Sequence, residues 1–189
     1  HRSIRRQRQM CIRDRLRRDS DLSIKFSGLI TKKILSNELI KSFALPKKIH
    51  GTIFSKSTSG MKYGRHIDNA YMSSGRADLS FTVFLNCKKK YEGGALSIEG
   101  LNSEEKFKLD AGEIIIYPST YLHSVEKVID GERLVFIGWI ESYVKSIEER
   151  EYLFDLDAAA RSLLAKYGRS EEVDLIYKSY SNFLRRLGN

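Results

Sequence analysis

The sequence predicts a mostly β core, a sandwich or barrel, with flanking N-terminal and C-terminal α-helices. Three observations predict it. Seven short runs rich in Ile, Val, Phe, Tyr and Thr follow one another, separated by Gly, Asn, Asp and Lys clusters, and only one gap between them is long enough for a sizeable loop. No alternation of strand and helix runs through that region, which sets aside a doubly wound α/β fold. On either side of it, apolar residues return to helical spacing.

Taken in order, Phe26, Ile30 and Ile34 recur every four positions between Ser20 and about Phe43, and Ser36-Asn37 can end one helix and cap the next. Pro46 closes this segment. The strand runs are His50 to Ser57, Asp78 to Asn86, Ala95 to Glu99, Lys106 to Leu109, Glu113 to Tyr117, Ser124 to Ile129 and Arg133 to Ile140. Tyr91-Glu92-Gly93-Gly94, Asp110-Ala111-Gly112 and Asp130-Gly131 read as turns, where glycine supplies the positive φ of a tight connection. After Trp139, Leu153, Leu156, Ala160, Leu163 and Tyr167 form one helical stripe and Val173, Ile176, Tyr180, Leu184 and Leu187 a second. Gly168-Arg169-Ser170 separates them, and Arg185 and Arg186 suit the negative end of the last helix. The expected organisation is a tail over 1–19, a helical segment over 20–45, the β core over 46–142 and a helical segment over 143–189.

With 189 residues, 41% apolar and two prolines, the chain can bury a core as one soluble domain. No apolar run approaches the roughly 20 residues of a membrane span, and no N-terminal apolar block resembles a secretion signal, so no membrane partner and a cytoplasmic location are expected. Cys11 and Cys87 are too few for a disulfide framework and form no C-x-x-C pair, so both are read as reduced.

The formal charge of +9 invites a nucleic-acid reading, but its location argues otherwise. Residues 1–19 carry eight arginines and two aspartates, +6 in all, which leaves +3 for the other 170 residues. The stretch reads as a self-repelling tail, as a nucleic-acid arm, or as sequence foreign to the natural chain, and it is set apart from the fold argument.

Two of the four histidines carry the chemistry. In Gly64-Arg65-His66-Ile67-Asp68 the imidazole and carboxylate stand two residues apart, so an extended backbone sends both to one face. His123, 57 positions on, opens the strand after the Tyr117-Pro118 corner and offers a third ligand. Two imidazoles and one carboxylate form the facial triad of non-haem Fe(II) sites, although H-x-D also arises by chance and such sites also bind zinc. Arg133, ten residues after His123, can reach the same cavity, where its planar fork suits the distal carboxylate of 2-oxoglutarate. The plain alternative for Arg133 is an exposed charge after a turn. Along Asp78 to Asn86, Ser80, Thr82 and Phe84 alternate with Leu79, Phe81, Val83 and Leu85. If the first set lines the cavity, Thr82 can support the co-substrate carboxylate while Phe84 walls it; ordinary sandwich packing explains the alternation equally well. Asn69 and Tyr117 are candidates for outer positions around the site.

The string from Gly60 through Tyr63-Gly64-Arg65-His66-Ile67-Asp68-Asn69 to Ala70, then Asp78-Leu79-Ser80 leading to Phe84-Leu85, Tyr91-Glu92-Gly93-Gly94, Tyr117-Pro118-Ser119-Thr120 through His123, Arg133, and Leu153-Phe154-Asp155-Leu156-Asp157 resembles the PKHD-type hydroxylases. These are bacterial relatives of the prolyl 4-hydroxylases in the iron- and 2-oxoglutarate-dependent dioxygenase superfamily. The resemblance runs from about Phe43 to the C terminus. It implies a double-stranded β-helix (jelly roll) core, Fe(II) on the positions matching His66, Asp68 and His123, 2-oxoglutarate on Arg133, and L-ascorbate as supporting reductant. The activity implied is hydroxylation of a C–H bond with release of succinate and CO2, the partners being O2 and a peptide or small-molecule substrate. A non-catalytic metal- or ligand-binding β-barrel is the alternative function. Nucleic-acid demethylases of the superfamily carry a second arginine six positions after the first, where this chain has Trp139. Two departures stand out. Ser57-Thr58-Ser59 replaces an aromatic-plus-glycine string, and the family's N-terminal region of several dozen residues is absent or replaced by the arginine-rich tail.

Overall fold

The computed structural model describes residues 14–15, 19–100 and 103–188. Cys11 and most of the arginine-rich tail lie outside the described residues. Two helices lead into the sheets. α1 (Asp21–Ser36) starts where the Ser20 hydroxyl accepts the Ser23 N–H, and α2 (Glu38–Ala44) starts where the Asn37 side chain accepts the Ile40 N–H at 3.0 Å. Leu45 then adopts a left-handed conformation at φ 44° and swings the chain into the first long strand.

The strands, in chain order, are β1 (Asp14–Arg15), β2 (Pro46–Thr58), β3 (Tyr63–His66), β4 (Tyr71–Met72), β5 (Gly75–Arg76) and β6 (Leu79–Phe84). They continue as β7 (Tyr91–Gly93), β8 (Leu96–Glu99), β9 (Glu104–Phe107), β10 (Ile114–Pro118), β11 (His123–Val125) and β12 (Val128–Ser142). The larger sheet runs β1-β2-β12-β6-β10, with β7 also paired to β12, and the smaller runs β3-β11-β8-β9. All these pairings are antiparallel. β1, within the stretch set apart from the fold argument, pairs Asp14 with Lys56 and Arg15 with Ser55.

Each face of the larger sheet has its own cover. Leu79, Phe81 and Val83 of β6 and Phe136 and Ile140 of β12 pack under Ile34, Ile40 and Ala44 of the two helices. On the opposite face Tyr117 joins Leu96, Ile98 and Val125 of the smaller sheet. With both faces of the sheet covered, all six residues of β6 are buried, the polar Ser80 and Thr82 included. This sandwich is the jelly-roll core that the sequence led us to expect.

α3 (Ile147–Tyr167) and α4 (Glu171–Leu187) form the C-terminal pair, capped by Ser146 and Ser170. Leu153 docks on Leu45 and Val144, with Tyr180, Leu184 and Leu187 closing over them. Two stripe residues fall outside the packing. Tyr167, the last residue of α3, is 79% exposed. Phe26 is 46% exposed because each four-residue step on a helix overshoots one turn by about 40°, which turns it roughly 80° away from Ile34.

The departures in the β region have local causes. The gap read as a loop between Ser57 and Asp78 holds β3 and the β4-β5 hairpin. His50 clips that hairpin to β2, its Nδ1 2.9 Å from the Ser74 hydroxyl and its Nε2 2.8 Å from the Arg76 carbonyl. The run expected from Lys106 is paired over Glu104–Phe107 instead. Tyr91–Gly93, expected as a turn, pairs with β12, and Asp130-Gly131 lies inside β12 at an irregularity in that pairing. Gly131 does have positive φ, 77°, but it bends a continuous strand rather than ending one. A Cβ there would sit 2.2 Å from the Lys90 carbonyl oxygen and 2.8 Å from Tyr91 Cα. Gly131→Ala combines backbone strain with a clash against main chain, and is expected to destabilise the protein by about 1–3 kcal/mol or more, read as a lowered urea midpoint at unchanged slope.

Candidate active site

β3 and β11 are neighbours in the smaller sheet, and their register puts His66 directly opposite His123. The two rings lie 4.2 Å apart, centroid to centroid. Each imidazole is oriented by main chain two residues back: Nδ1 of His66 donates to the Gly64 carbonyl at 2.8 Å and Nδ1 of His123 to the Tyr121 carbonyl at 3.0 Å. A carbonyl can only accept, so Nδ1 carries the hydrogen, and in the neutral ring Nε2 keeps its lone pair. Aromatic edges hold the rings from outside, Tyr63 against His66 at 4.1 Å and Tyr117 against His123 at 5.1 Å.

Asp68 lies two residues beyond His66, just past the end of β3. Its Oδ1 is 3.9 Å from His66 Nε2 and its Oδ2 3.7 Å from His123 Nε2. One ligand atom from each of the three residues falls within 4.8 Å of the others. Two imidazole nitrogens and a carboxylate oxygen converging in this way fit a divalent cation such as iron(II). The Ser80 hydroxyl, on β6 of the facing sheet, donates to Asp68 Oδ2 at 2.6 Å, and the Ser119 hydroxyl lies 2.7 Å from it.

The cavity around the triad lies between the two sheets. Arg133 lines it from β12, as do Thr82 and Ser80 from β6, beside an apolar wall that includes Ile53, Val125 and Ile137. Arg133 is 3% exposed, and its guanidinium stacks over the Phe84 ring at 5.5 Å. Burial pushes the nearby Tyr91 phenol above the usual tyrosine range, with the positive charge of Arg133 working in the opposite direction. Gly94 is tucked beneath: a Cβ there would meet the Arg133 side chain at 3.2 Å and Tyr91 at 3.3 Å.

The structure therefore brings His66, Asp68, His123, Arg133 and Thr82 around one cavity. Tyr117 touches the site through its stack on His123. Phe84 underlies Arg133, while Asn69 is exposed and does not line the cavity. Sequence reasoning did not single out Tyr63, Ser119 or the hydroxyl of Ser80. Only Ser80 carried a signal, its alternation with Thr82 along one strand.

A two-sheet sandwich enclosing this donor set is the architecture of an iron(II)- and 2-oxoglutarate-dependent oxygenase, and residues 52–141 match the family model described as the 2OG-Fe(II) oxygenase superfamily. Residues 148–188, the helical pair α3–α4, match the PKHD-type hydroxylase C-terminal domain. The chain is 77% identical to a PKHD-type hydroxylase of Prochlorococcus marinus strain MIT 9215, covering 92% of this chain and 78% of that protein. It is 72% identical to one from strain MIT 9515, covering 92% and 79%. Among solved structures its fold is similar to a Pseudomonas putida prolyl-4-hydroxylase, with TM-score 0.53, 19% identity, and 74% of this chain and 82% of that one covered. A Burkholderia pseudomallei oxidoreductase of the 2OG-Fe(II) oxygenase family follows, with TM-score 0.50, 14% identity, and coverage of 67% and 63%. The chain belongs to the PKHD-type hydroxylases, and it is an iron(II)- and 2-oxoglutarate-dependent hydroxylase. No helix among the described residues is long and apolar enough to cross a membrane.

Proposed function

We propose that His66, Asp68 and His123 hold the iron(II) of this hydroxylase and that Arg133, assisted by Thr82, holds the distal carboxylate of 2-oxoglutarate. The observation that carries this reading is the convergence of the three donors within 4.8 Å in a cavity that buried Arg133 also lines. When bound, iron(II) and 2-oxoglutarate supply the oxidising chemistry, in which O2 delivers one oxygen atom to succinate and the other to a substrate C–H bond, with loss of CO2.

The protein's part is placement and exclusion of water. The Gly64 and Tyr121 carbonyls fix which imidazole nitrogen faces the cavity, so neither histidine must change tautomer to bind metal. The Arg133 fork offers two parallel N–H donors to a carboxylate and fixes its direction as well as its charge. Val125, Ile53 and Ile137 keep the reacting region apolar. L-Ascorbate acts as supporting reductant, the substrate is a peptide or small molecule, and the enzyme works in the cytoplasm.

The test is succinate formation by the purified protein with Fe(II), 2-oxoglutarate, ascorbate and O2 over a panel of peptides and small molecules. Anaerobic mixing of Fe(II) and 2-oxoglutarate should give a weak visible charge-transfer band that neither gives alone. Failure of both measurements on folded protein would overturn the assignment.

A further inference from the structure

Asp68 lies beyond the last residue of β3, where no sheet ladder holds its backbone. Each histidine beside it is oriented by a main-chain carbonyl two residues back, whereas the hydrogen bond to the carboxylate comes from a side chain, Ser80 of the opposite sheet. Ser80 is 3% exposed and sits on rigid β6, paired on one side to Trp139 and on the other to Tyr117. The direction of the hydrogen bonds follows from the groups. An ionised carboxylate only accepts, so Ser80 spends its one hydrogen on Asp68 Oδ2, and the Ser119 hydroxyl must then donate to Ser80. Ser119 is itself buried, with its backbone N–H bonded to the Asp78 carbonyl at 3.1 Å.

We propose that Ser80, backed by Ser119, is a positioning residue that holds the Asp68 carboxylate in its metal-binding orientation. The two hydroxyls form a short relay from the larger sheet to a ligand just past the end of β3, and it tethers the donor whose own backbone is irregular. Oδ2 is engaged by Ser80, while Oδ1 faces His66 Nε2 at 3.9 Å. Without the relay the carboxylate regains rotamers that point away from the imidazoles, and metal binding must order it again. The inference rests on the reading of Asp68 as a metal ligand.

The experiment is anaerobic titration of metal-free protein with Fe(II), and separately with Co(II), whose visible bands report its coordination. Ser80→Ala is expected to weaken metal affinity by about 10–100-fold, the usual effect of losing an outer partner, with the apo melting temperature near that of wild type. Ser119→Ala should lower affinity in the same direction and by less, and Ser80→Thr, which keeps a hydroxyl, should stay nearer wild type than Ser80→Ala. Wild-type affinity and an unaltered Co(II) spectrum in Ser80→Ala would overturn the inference while leaving the metal site intact; should Ser80→Ala not fold, the same result in Ser119→Ala decides against the relay. Absence of metal binding by the wild-type protein would instead remove the reading of His66, Asp68 and His123.

Discussion

His66→Ala or Asp68→Ala is expected to abolish iron-dependent succinate formation. Each change deletes one of three protein donors from a site where no fourth His, Cys, Asp or Glu joins the cluster among the described residues. The loss should therefore exceed the roughly 10–100-fold that follows removal of an outer partner. Neither change should cost much stability. Both side chains line a cavity at the end of a short strand, outside the hydrophobic clusters that hold the sheets and helices together. Replacing a part-buried, hydrogen-bonded side chain typically costs about 0.5–3 kcal/mol, below the roughly 5–15 kcal/mol that holds a domain together, so the variants should remain folded. The check is paired: metal content and succinate yield on the same preparation, with a melting curve beside them. Full turnover by either folded variant would sink the mechanism.

How much could be read from the chain depended on the range of each interaction. Asn37 announces a helix start because a cap is made within three residues; Ser20, Ser146 and Ser170 cap their helices by the same short-range bond, though the sequence reading did not single them out as caps. The alternation of Leu79 and Val83 with Ser80 and Thr82 is likewise a local property, and it separates the helix-covered face from the cavity face, although Phe81 of the first set also borders the cavity. The two-residue step from His66 to Asp68 suggested convergence for the same reason. What no local pattern contains is pairing. That His66 stands opposite His123 is a matter of register between strands 57 residues apart, and that the Ser80 hydroxyl meets Asp68 depends on how two sheets face each other.

Glycine was legible as conformation but not as context. Positive φ at Gly131 and Gly93 is what the turn reading required, yet both lie in paired strands, because a bulged strand uses the same backbone angle as a tight turn. The bend has a consequence for the site. It lets β12 pair with β7 over Val128 to Gly131, then with β2 from Glu132 and with β6 from Val135, and Arg133 stands at the start of the β2 pairing, opposite Ser57. The C-terminal pair α3–α4, by contrast, docks on Leu45 and Val144 and contributes no residue to the cavity lining. Its link to the site is through the sheet that it braces.

Arg133→Ala should leave the metal site able to load and should act on 2-oxoglutarate. Removing one partner of a buried, hydrogen-bonded charge pair costs about 2–5 kcal/mol, which is a rise in the half-saturating 2-oxoglutarate concentration of roughly 30-fold or more. The guanidinium is too buried for water to replace it easily, at 3% exposure and with Phe84 beneath it. Arg133→Lys keeps a charge but loses the planar fork, so its affinity should fall between the two. Co-substrate binding can be measured without turnover. Ligand at 100 times its dissociation constant stabilises the folded protein by about 2.7 kcal/mol; after a 30-fold loss the same concentration stabilises by only about 0.9 kcal/mol. At the same 2-oxoglutarate concentration the melting temperature of wild type should therefore rise about three times as far as that of Arg133→Ala, and Fe(II) titration should be the same for both. An unchanged 2-oxoglutarate requirement in Arg133→Ala would show that the distal carboxylate is held elsewhere, and would remove the arginine from the mechanism while leaving the metal triad untouched.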